Sequence, residues 1–197
     1  EPSPGKNILS SLDGQLQDIV HDTIMNNDIT TSKTVNLAEQ KIAVLISNPY
    51  TGEILSLYSY PTFDPLAFEL SDTTKTRAYL KDEDQPLYNR ALSGTYPPGS
   101  VFKPVVAAAA LQEKVIDGKT EIEDTGEIKA GKQVFGNWFF IKYGKKDGMV
   151  DVVKALQRSN DIFFYTIGGL LHIDTLKNWM YTFGYGKKTG IGLEEAA

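Results

Sequence analysis

The chain has 197 residues, 41% of them hydrophobic, and carries 20 Lys and Arg against 25 Asp and Glu for a net charge of −5. This is enough apolar matter for a buried core, in one large domain or a domain with an appendage, and the lack of a basic block argues against nucleic acid as a partner. With no cysteine and only two histidines, His21 and His172, neither a zinc site nor a cysteine nucleophile is in view, and no run of about 18 apolar residues is available to span a bilayer.

Glu1-Pro2-Ser3-Pro4-Gly5-Lys6 reads as a flexible lead-in or expression remnant. Residues 7–11 suit a short strand. From Asp13, a plausible cap, Leu16, Ile19, Val20, Thr23 and Ile24 fall on one helical stripe that ends at Asn26-Asn27-Asp28. His21 falls on the opposite side, where a surface position is expected. Residues 28–40 are polar and Thr-rich and read as a loop. Residues 41–47 and 53–59 read as two strands joined by the turn Asn48-Pro49-Tyr50-Thr51-Gly52, which makes an antiparallel hairpin. Residues 66–88 have surface-helix or loop character that the pattern does not resolve.

The stretch Tyr96-Pro97-Pro98-Gly99-Ser100-Val101-Phe102-Lys103 then delivers a serine to the start of an Ala-rich helix, with Pro104 in its tolerant first turn. Residues three apart share a helix face, so the Lys103 amine can reach the Ser100 hydroxyl. A serine attacks well only when a base removes its proton, and a neutral lysine can be that base. The helix N-terminus also offers the Ser100 N–H to an oxyanion. An ordinary N-cap serine with Lys103 on a solvated face fits the same letters. Ser3-Pro4-Gly5-Lys6 matches the spacing too, but no helix is expected in that tail.

Residues 113–148 are irregular and punctuated by glycine, with short strands expected at 127–129 and 132–135 and an aromatic anchor, core or lid, at Trp138-Phe139-Phe140. A short helix follows over 150–158 with Val152, Val153 and Leu156 on one side. After the corner Ser159-Asn160-Asp161 come an apolar helix over 162–171 and another over 174–183, which Gly184-Tyr185-Gly186 stops. A hydroxyl at such a corner can relay a proton to Lys103 or to a leaving amine. Ser159 or Asp161 can equally be the cap of the helix that follows.

Taken in order, these segments resemble the penicillin-binding proteins, in particular the transpeptidase domain of the class B, elongation-type group. The resemblance is carried by Asn48 to Leu57, Tyr60-Pro61-Thr62-Phe63-Asp64-Pro65, Asn89-Arg90-Ala91-Leu92, Tyr96 to Pro104, the 159–161 corner, and Phe183-Gly184-Tyr185-Gly186 with Thr189-Gly190-Ile191-Gly192-Leu193. It implies an α+β fold, a partial serine β-lactamase/transpeptidase-like fold with an antiparallel sheet packed by helices and Ser100 in the cleft between them.

It also implies that Ser100 is the nucleophile on the D-Ala-D-Ala end of a peptidoglycan stem peptide, that Lys103 is the base, that Ser159 passes the proton to the leaving group, and that Asp161 serves substrate binding. No cofactor or metal is implied. The expected partners are stem peptides, β-lactams and cell-wall elongation proteins. The expected place is extracytoplasmic, in the periplasm or on the outer face of the cytoplasmic membrane, with membrane contact only through an N-terminal anchor absent from this stretch. Rival readings are a D,D-carboxypeptidase or β-lactamase-type hydrolase, a β-lactam sensor, and a non-catalytic scaffold of the wall machinery.

Two departures stand out. The third position of the second motif is Asp161, where most of the family has asparagine, and a carboxylate beside Lys103 complicates a plain general-base role. Lys188-Thr189-Gly190 resembles the third motif but sits among glycines suited to a loop, whereas the family's functional version lies on a later strand. It is therefore read as a decoy, and 7–197 as the N-terminal and helical part of the domain, incomplete at its C-terminus. In the full-length protein, Thr189→Ala is accordingly expected to leave penicillin acylation nearly intact. A loss of about a hundredfold with folding preserved, the size expected for deleting an oxyanion donor, would restore the motif to function.

Overall fold

A computed structural model describes Gly5, residues 7–26 and residues 36–196. Apart from Gly5 and residues 36–40, the expected lead-in and Thr-rich loop lie outside the described residues. The fold is α+β, with antiparallel strand pairs and helices in two compact units: residues up to Thr95 with Gly192–Ala196, and Tyr96–Ile191.

In the first unit, helix α1 (Gly14–Met25) starts where expected, with the Asp13 carboxylate accepting the Leu16 N–H. Val20 and Ile24 are buried, but Ile19 is exposed, so the buried stripe is narrower than the pattern suggested. Strands β1 (Ile42–Ser47) and β2 (Ile54–Tyr60) form the predicted antiparallel hairpin, pairing Ile42 with Tyr60 and Leu45 with Leu57. Gly52, at φ +78, closes its turn by donating to Asn48 O.

The Gln17 carboxamide fastens α1 to β2 by mimicking a strand partner. It accepts the Leu57 N–H at 2.9 Å and donates to the Leu57 carbonyl at 3.3 Å. No strand forms at 7–11: Ile8 and Leu9 are exposed, the Ser11 hydroxyl donates to Ile54 O, and beyond the segment Asp13 N–H donates to Leu55 O. His21 also departs from expectation. It is half-buried, with Nδ1 2.6 Å from the hydroxyl of core residue Tyr58, whose phenol is pushed up by burial and further by Tyr60. The stretch that the sequence pattern left open contains α2 (Leu66–Glu69) and α3 (Thr73–Lys81), the latter capped by Asp72. Asn89 caps the short α4 (Arg90–Ser93).

In the second unit, a 3₁₀ turn over Gly99–Phe102 leads into α5 (Lys103–Gln112). Strand β3 (Ile122–Glu123), the hairpin β4 (Glu127–Ala130) and β5 (Gln133–Gly136), α6 (Trp138–Tyr143) and β6 (Met149–Val150) follow, with β6 antiparallel to β3. Helices α7 (Val152–Arg158), α8 (Asp161–Leu170) and α9 (Ile173–Thr182) complete it. Among the described residues no helix is long and apolar enough to cross a membrane.

The alanines of α5 explain how the core closes. Ala109 and Ala110 have no exposed surface, and with so little side chain they let α5 lie close against Phe163, Phe164 and Ile167 of α8 in one cluster. On α7 the buried residues are Val152 and Ala155. Val153 and Leu156, expected on the same side as Val152, are exposed. The caps of α7 and α8 are polar where the chain must turn: the Asp151 side chain accepts from Lys154 N–H, and that of Asn160 from Phe163 N–H.

Behind the 159–161 corner three polar side chains are buried almost completely: Asp124, Asn137 and Asn160. The Asp124 carboxylate accepts the Gly126 N–H at 2.9 Å, the Asn137 amide at 2.8 Å and the Asp147 N–H at 2.8 Å. Burial pushes this carboxyl up, but the donors from Asp147, Gly126, Asn137 and Asn160 outweigh burial and hold it below the usual carboxylate range. A depressed folded-state value stabilises the fold above the unfolded-state pKa of about 4 and ceases to do so as pH falls through the folded value. Asp124→Asn, which cannot accept from every donor, is expected to cost about 2–3 kcal/mol at pH 7. The gap to wild type should narrow as pH is lowered below about 4. Urea unfolding across pH checks this, and a pH-independent gap would contradict it.

Candidate active site

Gly99 takes φ +58, a left-handed conformation that glycine adopts without steric cost, and so turns the chain from Pro97-Pro98 into the 3₁₀ turn. In a 3₁₀ turn residues three apart stack directly over one another, which aligns Ser100 with Lys103. Ser100 itself lies in the turn, and the Ala-rich helix begins at Lys103, directly after Phe102 as expected.

Across from it, Ser159 ends α7 in the left-handed region at φ 52, ψ 42. A side chain there costs about 1–2 kcal/mol relative to right-handed geometry, and glycine is the common choice at such a helix end. With Asn160 capping α8, the expectation that Ser159 or Asp161 serves as that cap is corrected, and both flanking side chains are free to face α5.

The structure brings Ser100, Lys103, Ser159 and Asp161 together. The Ser100 and Ser159 hydroxyl oxygens are 2.9 Å apart. Lys103 Nζ donates to Ser159 O at 2.8 Å, Ser159 Oγ at 3.0 Å and Asp161 Oδ1 at 2.6 Å, so its three donors have three acceptors on one corner. The ion pair is largely desolvated, with 13% of the lysine and 20% of the aspartate side chain exposed. The ammonium also lies 5.6 Å from the centroid of the Phe164 ring. The expected direct contact of Lys103 with Ser100 is replaced by a contact through Ser159. Asp161 is turned toward the lysine: its other oxygen accepts the Trp138 N–H at 3.0 Å.

Ser100, Lys103 and Asp161 line a hollow of about 320 Å³ between α5 and α8, with Phe102, Val106, Phe164 and Tyr165 as apolar wall. Tyr165 is held above the usual phenol range by burial and then by the Asp161 carboxylate, so it stays a neutral hydroxyl at the mouth. Tyr185 of the Gly-Tyr-Gly stop meets Phe102 edge-on at 5.5 Å and braces the Ser100 turn. Lys188-Thr189-Gly190 is in irregular backbone and does not line this hollow.

Four contributors escaped the sequence reading: Asp124, Asn137, Asp147 and Arg158. Asn137 accepts the Asp161 N–H at 3.3 Å, Asp147 pairs with Arg158 at 3.0 Å and accepts from the Asn160 amide at 3.1 Å. As polar residues in a glycine-rich stretch or at the end of a short helix, they read as turn formers and surface charge, and no spacing linked them to the corner. The Trp138 indole donates to Arg158 O, and Arg158 covers the Phe139 ring at 4.7 Å.

The arrangement is that of a serine–lysine site served by a second serine. The sequence profile described as the penicillin binding protein transpeptidase domain matches residues 42–197. The chain is 36% identical over 198 residues, 98% of its length, to the peptidoglycan D,D-transpeptidase MrdA of Acinetobacter baumannii, of which it covers 27%. Its structure is similar to that of Pseudomonas aeruginosa PBP2 in complex with WCK 5153, with a TM-score of 0.76 and 31% identity over 98% of this chain and 41% of that one. It is also similar to Helicobacter pylori PBP2 in complex with MreC, with a TM-score of 0.75 and 28% identity over 94% of this chain and 32% of that one. The chain belongs to the penicillin-binding protein transpeptidase domain family. It spans about a quarter of the length of that curated relative.

Ser159→Gly separates strain from chemistry. It relieves the left-handed backbone, about 1–2 kcal/mol, while deleting the hydroxyl's two hydrogen bonds, to Lys103 and to Ser100, of about 1 kcal/mol each. Thermal unfolding should therefore shift little, whereas Ser100 acylation should fall by on the order of a hundredfold, the size of a lost proton-transfer group. Acylation within about threefold of wild type would remove Ser159 from the relay.

Proposed function

We propose that the protein of which this chain is a part is a peptidoglycan D,D-transpeptidase that works through a Ser100 acyl-enzyme and is a target of β-lactams. The observation that carries the reading is the unbroken line of hydrogen-bonding groups from Ser100 through Ser159 to Lys103 beside an apolar-walled hollow.

In this reading the Lys103 ammonium of the resting site first gives up one proton to solvent; Ser100 Oγ then attacks the carbonyl carbon of the penultimate D-alanine, and its proton passes through the Ser159 hydroxyl to the neutral Lys103 amine. The Ser100 N–H, at the opening of the turn, serves the oxyanion. As the C–N bond breaks, the same proton returns through Ser159 to the departing D-alanine nitrogen, which leaves an ester on Ser100. An amine of a neighbouring stem peptide then attacks that ester, forms the cross-link amide and restores the serine. Asp161 is assigned to hold Lys103 in place and to border the substrate; its carboxylate keeps the amine within reach of Ser159 at each stage. A β-lactam acylates Ser100 by the first half of the same sequence, its ring C–N bond opening in place of the peptide bond.

The similarity to MrdA and to a PBP2 solved with MreC supports a place in cell-wall elongation, with a partner resembling MreC, on the outer side of the cytoplasmic membrane. In the full-length protein, labelled penicillin should modify the wild type stoichiometrically and Ser100→Ala not at all. With stem-peptide substrate, dimer should form in preference to simple D-alanine release. Label retained by Ser100→Ala rejects the nucleophile, and D-alanine release without dimer converts the reading to a carboxypeptidase.

A further inference from the structure

The buried polar cluster behind the corner is larger than capping two short helices requires. Its central member is Asn137, the residue between β5 and α6, which has no exposed surface. Its backbone is fixed at both ends: the N–H donates to Gly126 O at 2.8 Å, and the carbonyl accepts the Ile141 N–H at 2.9 Å. Its side chain faces two different demands. Nδ2 donates to the Asp124 carboxylate at 2.8 Å, and Oδ1 accepts the backbone N–H of Asp161 at 3.3 Å. Only a neutral group with a donor and an acceptor back to back meets both; a carboxylate, an ammonium or an apolar side chain leaves one buried partner unsatisfied. The next residue grips the same target, since Trp138 N–H holds Asp161 Oδ2 at 3.0 Å. Two consecutive residues therefore fix both the backbone and the carboxylate of Asp161, whose remaining oxygen holds Lys103 at 2.6 Å.

We propose that Asn137 is a positioning residue for acylation: it ties the Asp161 backbone to the buried Asp124 carboxylate and so sets where Asp161 places the Lys103 amine. The proposal rests on the reading of Ser100 as nucleophile and adds to it the element that controls the base. A displacement of the amine by about an ångström is enough to slow a proton transfer on the order of a hundredfold, so the tether acts on rate without touching substrate.

Asn137→Asp tests this, because its protonation state decides whether the tether exists. The ionised variant sets a second carboxylate against Asp124. Asp147 and Asp161 lie nearby, offset by Lys103 on Asp161, by Arg158 on Asp147, and by Lys154, which donates to Asp147 O and Met149 O. Like charges at that distance raise the affinity for one proton. When protonated, the introduced carboxyl group again offers an O–H to Asp124 and a carbonyl oxygen to the Asp161 N–H. The acylation rate constant of Asn137→Asp, divided by that of wild type at the same pH in full-length protein, is expected to lie within about threefold of unity near pH 5 and to drop roughly tenfold to a hundredfold by pH 8. Asn137→Ala, which can make neither bond, should be slow at every pH.

A purely structural role lowers the fraction of protein that labels and leaves the rate constant of the labelled fraction unchanged. A pH-independent ratio, or wild-type rate constants in both variants, therefore overturns the proposal while leaving Ser100 in place. If Asn137→Ala does not fold, the pH course of Asn137→Asp alone decides. A wild type that does not acylate at Ser100 in the same series removes both readings together.

Discussion

The site turns on one ammonium and what holds it. Lys103 directs all three of its N–H donors at a single corner of chain: the carbonyl and hydroxyl of Ser159 and a carboxylate oxygen of Asp161. A lysine side chain is long and flexible, and its entropy alone would scatter the amine over several ångströms. Three acceptors in a largely desolvated setting remove that freedom. Removing one partner of a buried pair typically costs about 3–5 kcal/mol, so the position is firmly imposed. The consequence for chemistry is that Ser159, held by the same amine, has its hydroxyl oxygen at hydrogen-bonding distance from that of Ser100.

Much of the second unit can be understood as the means of keeping that corner still. Ser159 accepts a left-handed backbone that glycine would adopt more easily, and in return carries a hydroxyl where glycine has none. Asn160 is wholly buried and spends its side chain on the α8 cap and on Asp147. Asp124 gathers three donors and ties the β3–β4 loop, Asn137 and Asp147 into one network. The alanines of α5 let the helix bearing Lys103 pack tightly on the one bearing Asp161, so both ends of the ion pair rise from one shared core. An apolar core alone would permit small sliding of these helices; the polar network behind the corner fixes their register.

The parts legible in the sequence are those set by local rules. The hairpin followed from two apolar runs around Asn48 to Gly52, the α1 start from Asp13, and the helix carrying Lys103 from Ala and Leu content. Ser100, Lys103, Ser159 and Asp161 emerged from motif order; Ser100, Lys103 and Asp161 line one hollow, and Ser159 joins them through its hydrogen bonds to Ser100 and Lys103. What stayed hidden depends on contacts between residues far apart in the chain. Asp124 meets Asn137 and Asp147, Asn137 meets Asp161, and Asp147 meets Asn160, across gaps of 13 to 24 residues that carry no periodic signal. His21 reads as surface because its Tyr58 partner comes from β2. The segment at 7–11 shows the converse error, since apolar residues suited to a strand never acquire a strand's hydrogen bonds. Helix spacing puts Lys103 and Ser100 on one face but says nothing of Ser159, the third group that arrives from the end of α7 and hydrogen-bonds to both.

The most direct test is a crystal structure of the full-length protein after reaction with penicillin. Continuous density should run from Ser100 Oγ into the opened acyl group, with Ser159 Oγ and Lys103 Nζ still within hydrogen-bonding distance of one another and Asp161 still on the lysine. An adduct on any other side chain, or a Lys103 amine turned away from Ser159 and Asp161 onto a separate surface, would contradict the account.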